Sequence, residues 1–163
     1  MRQLSAQRGL TLVELMVTIL LLSALLMLGL PAMADHARQA RVRSGAQSVV
    51  TIALFARNEA IKRNERLTLS IAPQTLTVLD SGGAALRAQP LPDGVALAAT
   101  STLDNDSVTA IDFNAAGRTH PFGSAYRIDT TLANTPCSDE LRCPRVMVRS
   151  GGAVRLCSAQ EDC

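Results

Sequence analysis

RGLTLVELMV, residues 8–17, places a carboxylate, Glu14, at the head of a long apolar run. Between Glu14 and Asp35, the twenty residues LMVTILLLSALLMLGLPAMA carry no charge. At about 1.5 Å rise per residue, a helix of that length spans roughly 30 Å, the thickness of a bilayer core. An acid at the centre of a membrane costs on the order of 2.5–3.5 kcal/mol, and less near an interface. Glu14 therefore calls for a cation or a task. Arg2 and Arg8 precede the run, so the positive-inside bias keeps residues 1–8 in the cytoplasm and exports the rest of the chain.

Three processing routes suit such a segment. A secretory signal peptide has support from Ala32-Met33-Ala34, an A-x-A cleavage signature that would release a soluble domain after Ala34. Its apolar run, however, exceeds the usual 7–15 residues or so, and Glu14 interrupts its start. An uncleaved signal anchor is the second route. The third takes the string as a unit: Gly9-Leu10-Thr11-Leu12-Val13-Glu14 resembles the leader junction of type IV pilins and type II secretion pseudopilins. Leu10 departs slightly from the Phe or Met commoner there. The resemblance implies cleavage after Gly9 by a prepilin peptidase, methylation of the new N-terminus at Leu10, and retention of the apolar helix as an assembly element. Glu14 would then meet the new α-ammonium, its own or a neighbour's, as a register pin between helices.

The remaining composition narrows the function classes. The 163 residues suit one compact domain plus one extra element. Three Phe, one Tyr and no Trp leave few stacking platforms for single-stranded nucleic acid. Residues 35–66 hold seven basic and three acidic side chains, whereas residues 67–163 hold seven and ten, so any polyanion contact must be local. All four cysteines, Cys137, Cys143, Cys157 and Cys163, lie in the last 27 residues without a C-x-x-C, and only His36 and His120 could join them. No metal or cofactor is expected; two disulfides in an oxidising compartment are.

From Asp35 onward, Val42, Ala46, Val49, Ala53, Phe55, Ala56, Ala60 and Ile61 largely follow helical spacing. The pattern predicts one long helix over roughly 10–63, kinked near Pro31, with Val49, Ala53 and Ala60 packing on their own domain. After Arg66 the period changes. LTLSIA (67–72) and TLTVLD (75–80) read as a hairpin, followed by strands at 95–100, 109–113, 125–131, 145–149 and 153–157. The expected class is α+β, a long helix on a small, mostly antiparallel sheet.

Later blocks narrow the resemblance. ALFARNEAIKRN (53–64), IDFNAAGR (111–118) and RCPRVMVRSGGAVRLC (142–157) resemble GspH/FimT-type minor pilins and pseudopilins. The resemblance implies the pilin fold, with a leader at 1–9, a transmembrane and assembly segment at 10–34 and a periplasmic domain at 35–163. It implies a non-enzymatic subunit anchored in the bacterial inner membrane and then built into a type IV pilus, priming it or sitting at its tip. The implied partners are the prepilin peptidase, other pilins and the inner-membrane assembly platform. A type II secretion pseudopilin, or a DNA-binding subunit for natural transformation, is the alternative.

Ser150-Gly151-Gly152 predicts a tight turn. Cys143 and Cys157, like Cys137 and Cys163, lie symmetrically about residue 150, which favours nested bridges; two local loops, 137–143 and 157–163, are the other possibility. DNA-binding relatives of the resembled family carry G-R-x-R on this segment. Here Gly152-Ala153-Val154-Arg155 keeps only the second arginine, with Arg145 and Arg149 placed to compensate on the paired strand. Asp139, Glu140, Glu161 and Asp162 flank the cluster, so solvated strand arginines are the plainer reading. No nucleophile, P-loop or metalloprotease motif is present. Asp104 and Asp106 lack EF-hand spacing and read as a polar loop rather than a calcium site.

Overall fold

A computed structural model describes residues 11–133, 135–138 and 141–158, apart from the side chains of residues 28–32. Helix α1 runs Leu12–Arg63 and is helical at every position, Pro31 included. The chain divides into two compact units, Met1–His36 and Ala37–Cys163.

In the first unit, the described residues form the start of α1. Thr18 and Ser23 donate their hydroxyls to the carbonyls of Leu15 and Leu20, at 2.8 and 2.9 Å, so both find partners within the apolar run. The large apolar side chains from Leu12 to Met27 are exposed, Met27 to 82%. Among the described residues no helix is long and apolar enough to cross a membrane. The side chains of residues 28–32, within the uncharged stretch 15–34, lie outside the description.

In the second unit, α1 presents a seam of Val42, Ala46, Val49, Ala53, Ala56 and Ala60, all fully buried and alternately four and three residues apart. That spacing holds one helical face against a core, and the expectation for Val49, Ala53 and Ala60 holds. The helix ends in a paired cap. Asn64 adopts a left-handed φ of 54°, its N–H donates to Ile61 O at 3.3 Å, and the Glu65 N–H donates to Ala60 O at 3.2 Å. In the last turn Arg63 Nε donates to Glu59 Oε1 at 2.7 Å, and that bond holds the Glu59 carboxyl below its ordinary pKa.

Among the described residues nine strands follow: β1 Leu67–Ile71, β2 Thr75–Leu79, β3 Ala85–Pro90, β4 Val95–Ser101, β5 Ala110–Phe113, β6 Thr119–His120, β7 Tyr126–Leu132, β8 Arg145–Val148 and β9 Val154–Cys157. The expected single sheet is instead two, of order β3-β2-β1-β5-β6 and β4-β7-β8-β9. Every pairing is antiparallel. Both sheets reach the α1 seam, because Leu67, Leu69, Leu76, Val78, Ile111 and Phe113 of the first share a core with Ala99, Tyr126, Ile128, Val146 and Val148 of the second. Small residues on the seam allow this, since alanines let a backbone approach closely. Strands β3 and β6 were not anticipated. β3 is largely exposed and lacks a buried alternation, and β6 has two residues, so neither carries a periodic signal.

The two sheets are locked through a pair of turns. Gly117, in the β5–β6 turn, and Gly152, in the β8–β9 turn, have φ of 70° and 78°. A Cβ on Gly152 would lie 1.8 Å from Gly117 O. Arg57 Nε on α1 donates to that same carbonyl at 3.2 Å, and the Thr119 N–H donates to Ser150 O at 3.3 Å. Gly152→Ala meets both a disfavoured backbone angle and a backbone collision. It is expected to cost about 3 kcal/mol or more, measured by urea unfolding. Gly151→Ala, whose Cβ meets nothing within 4 Å, should change stability by less than about 0.5 kcal/mol.

Candidate functional site

Two regions carry the side chains singled out by sequence. The first is the start of α1. Thr11 precedes the helix as its N-cap: its Oγ1 accepts the Glu14 N–H at 3.3 Å, and its carbonyl accepts the Leu15 N–H at 3.2 Å. Thr11-Leu12-Val13-Glu14 thus has the T-x-x-E spacing of a capping box, with Glu14 at the third helical position. A carboxylate in the first turn also gains about 0.3–1 kcal/mol from the partial positive charge of the helix N-terminus. Sequence reading assigned Glu14 to an amine and overlooked Thr11, although the T-x-x-E spacing ahead of an apolar run was a usable signal. Glu14 is exposed among exposed Leu12, Val13, Leu15 and Met16. Gly9 and Leu10, the expected cleavage and methylation positions, lie outside the described residues, as does Cys163.

The second region is the outer face of the β4-β7-β8-β9 sheet. Alternation along β7 and β8 buries Ile128, Thr130, Val146 and Val148 and turns Arg127, Asp129, Arg145 and Met147 outward. The register sets Asp129 opposite Arg145, and Met147 between Arg127 and Arg155. Arg145 Nε donates to Asp129 Oδ1 at 2.6 Å, while Arg127 Nε lies 3.4 Å from Asp129 Oδ2. The Arg127 contact is an ion pair without hydrogen-bond geometry, since that buried Nε has no hydrogen-bond partner. Arg149 follows β8; its N–H donates to Ala153 O at 2.9 Å and extends the ladder by one rung. Arg145, Arg149 and Arg155 therefore share a face, as their spacing suggested. Ala153, where the arginine of the resembled motif is missing, stands opposite Arg149. Arg127 is the member sequence reading missed, because only register brings residues 127 and 145 together. The flanking Asp139, Glu140, Glu161 and Asp162 lie outside the described residues.

The cysteine pairing corrects the expected nested bridges: Cys137 bonds Cys143, with Cα atoms 5.7 Å apart. The β8–β9 register explains why. Cys157 stands opposite Arg145, two residues beyond the position the nested scheme requires. Cys157 is itself disulfide-bonded. The bridged loop is tied to α1 by Gln39, whose side-chain amide donates to Arg142 O at 2.8 Å and accepts the Arg142 N–H at 2.9 Å. Elsewhere, hydrogen bonds from the Ser101 hydroxyl and then the Asp106 N–H hold the Asp104 carboxyl below its ordinary pKa. That makes Asp104 a loop brace. Among the described residues, no group of three or more His, Cys, Asp or Glu side chains is placed to hold a metal ion.

Asp129 is the shared carboxylate between two guanidiniums. Asp129→Asn is expected to lower stability by about 1–3 kcal/mol, visible as a lower urea midpoint at unchanged slope.

Comparison with known proteins gives a consistent set of matches. Residues 45–152 match the sequence profile described as Type II transport protein GspH, and residues 4–30 match the prokaryotic N-terminal methylation motif. No curated protein sequence matches the chain. Among solved structures, the type IV minor pilin FimU of Pseudomonas aeruginosa is similar with a TM-score of 0.56 at 17% identity, covering 71% of this chain and 87% of that one. The minor pseudopilin EpsH from the type II secretion system of Vibrio cholerae is similar with a TM-score of 0.57 at 15% identity, covering 76% and 97%. At such identities the likeness is one of fold, and it agrees with the α+β class expected from sequence.

Proposed function

Since this chain belongs to the family of the Type II transport protein GspH and carries the N-terminal methylation motif of pilin-like proteins, we propose that it is a minor subunit of a type IV pilus. In this reading a prepilin peptidase cuts after Gly9 and Leu10 is methylated. The segment 10–34 holds the chain in the bacterial inner membrane, with residues 35–163 in the periplasm. The assembly platform then draws it into the fibre, where it primes assembly or caps the tip alongside other pilins. The role is structural rather than enzymatic.

The start of α1 carries this reading. Its large apolar side chains from Leu12 to Met27 are exposed among the described residues, and helical apolar surface of that extent needs lipid or other helices. Thr11, the residue after the proposed new N-terminus, caps the helix that starts at Leu12, so the α-ammonium of Leu10 and the carboxylate of Glu14 belong to one short segment. A type II secretion pseudopilus offers the same environment, and the family description supports it equally.

Intact-mass measurement of the protein recovered from cells should show a chain beginning at methylated Leu10. A start at Asp35 would overturn the proposal in favour of a released periplasmic domain. Glu14→Ala should still be inserted and cleaved, yet enter fibres about tenfold less, which corresponds to about 1.4 kcal/mol of pairing energy. Normal entry would show the pairing to be dispensable.

DNA uptake is a second reading, supported by one observation: Arg127, Arg145, Arg149 and Arg155 share a face with Asp129. Changing Arg145, Arg149 and Arg155 together to Ala should lower the slope of log affinity against log salt by about 0.7–0.9 for each phosphate no longer neutralised. Unchanged DNA binding and transformation would end this reading.

A further inference from the structure

Basic residues beside a membrane span are disfavoured on its exported side. In the anchored reading, Arg38, Arg41 and Arg43 nevertheless lie there, four, seven and nine positions after Ala34, the last residue of the uncharged stretch. Connectivity alone keeps so short a length of chain at the surface of any membrane that stretch occupies. Charges placed against the topological bias call for a use.

Arg43 and Gln39 stand one turn apart on α1. The Gln39 side chain holds both backbone groups of Arg142, at 2.8 and 2.9 Å, and the Cys137–Cys143 bridge closes the loop that carries Arg142. Arg142 is thereby fixed beside α1, and it lines with Arg43 a cavity of about 350 Å³. Another wall is Leu156, 40% exposed, and among the described residues no acidic side chain lines the space. Several arginines elsewhere are engaged: Arg63 by Glu59, Arg127 and Arg145 by Asp129, and Arg87 by the Phe55 ring at 5.0 Å. Asp35 and Arg38 have partners of their own. The guanidiniums of Arg43 and Arg142 make no ion pair, hydrogen bond or ring contact among the described residues.

We propose that the Arg43–Arg142 cavity takes the phosphate of an anionic phospholipid headgroup and holds the subunit against the membrane until it is drawn into a fibre. Two guanidiniums match a phosphate diester in charge and in paired donors. A zwitterionic headgroup brings an ammonium that the same pair repels, so net negative lipid is selected. Leu156 gives the glycerol backbone an apolar contact beside the charges. The nine positions separating Arg43 from Ala34 favour a lipid over a dissolved anion, because the membrane supplies headgroups where this part of the chain must lie. The proposal rests on the membrane-anchored reading and adds to it a lipid contact outside the span.

The test uses the full chain in neutral detergent, titrated with dihexanoyl phosphatidylglycerol while the arginine Nε–H resonances are followed by NMR. Those of Arg43 and Arg142 should shift together, whereas dihexanoyl phosphatidylcholine and inorganic phosphate should need at least about tenfold higher concentrations. Arg43→Gln combined with Arg142→Gln should weaken the binding about thirtyfold, roughly five- to sixfold for each charge near a surface. The melting temperature should not change, because both side chains are exposed. Equal response to inorganic phosphate would overturn the lipid assignment in favour of a free anion. Asp139, Glu140, Glu161 and Asp162 lie outside the described residues. If changing these four to their amides moves both resonances before any lipid is added, the occupant is the chain's own acidic segment and the proposal fails. A chain that begins at Leu10 but shows no phosphatidylglycerol shift sinks the headgroup contact alone. One that begins at Asp35 removes the anchored reading with it.

Discussion

The globular unit depends on a single helical seam serving two sheets. Val42, Ala46, Val49, Ala53, Ala56 and Ala60 are fully buried, and most of this seam is alanine. A bulkier seam would satisfy one sheet and hold off the other. With small residues the strands of both approach the same face, and their leucines, valines and Phe113 supply the volume that the helix gives up. Gly45 shows the same constraint one step further, since a Cβ there would lie 2.7 Å from Val95.

Once both sheets share one helix, their free ends must be reconciled. The Gly117–Gly152 crossing does this, with Arg57 of α1 donating to the Gly117 carbonyl at the point of contact. The blocks IDFNAAGR and RSGGAVR therefore have a physical link that their separation in the chain conceals. Division into two sheets also creates four edges instead of two. The outer face of the β4-β7-β8-β9 sheet has its own internal order, because Asp129 holds two of its four arginines and leaves Arg149 and Arg155 exposed.

Much of this was legible in the residues. The approximate start and stop of α1, the β1–β2 hairpin and five further strands follow from hydrophobic period, its change at Arg66 and local turn chemistry. Glu14 was recognised as exceptional, but its neighbour Thr11 was not, although a capping box spans only four residues. β3 and β6 were missed because an exposed edge and a two-residue rung have no burial pattern to betray them.

Features set within a few residues could be read directly: hydrophobic period, the apolar run and the string around Gly9 that points to the family. Features that join distant residues could not. Cys137 pairs with Cys143 because the β8–β9 register moves Cys157 out of reach, Arg145 meets Asp129 through pairing with β7, and Gln39 holds Arg142 across 103 residues. Local propensity is written in each segment. Register, edge and partner exist only after the chain has closed its long loops, so no window of sequence contains them.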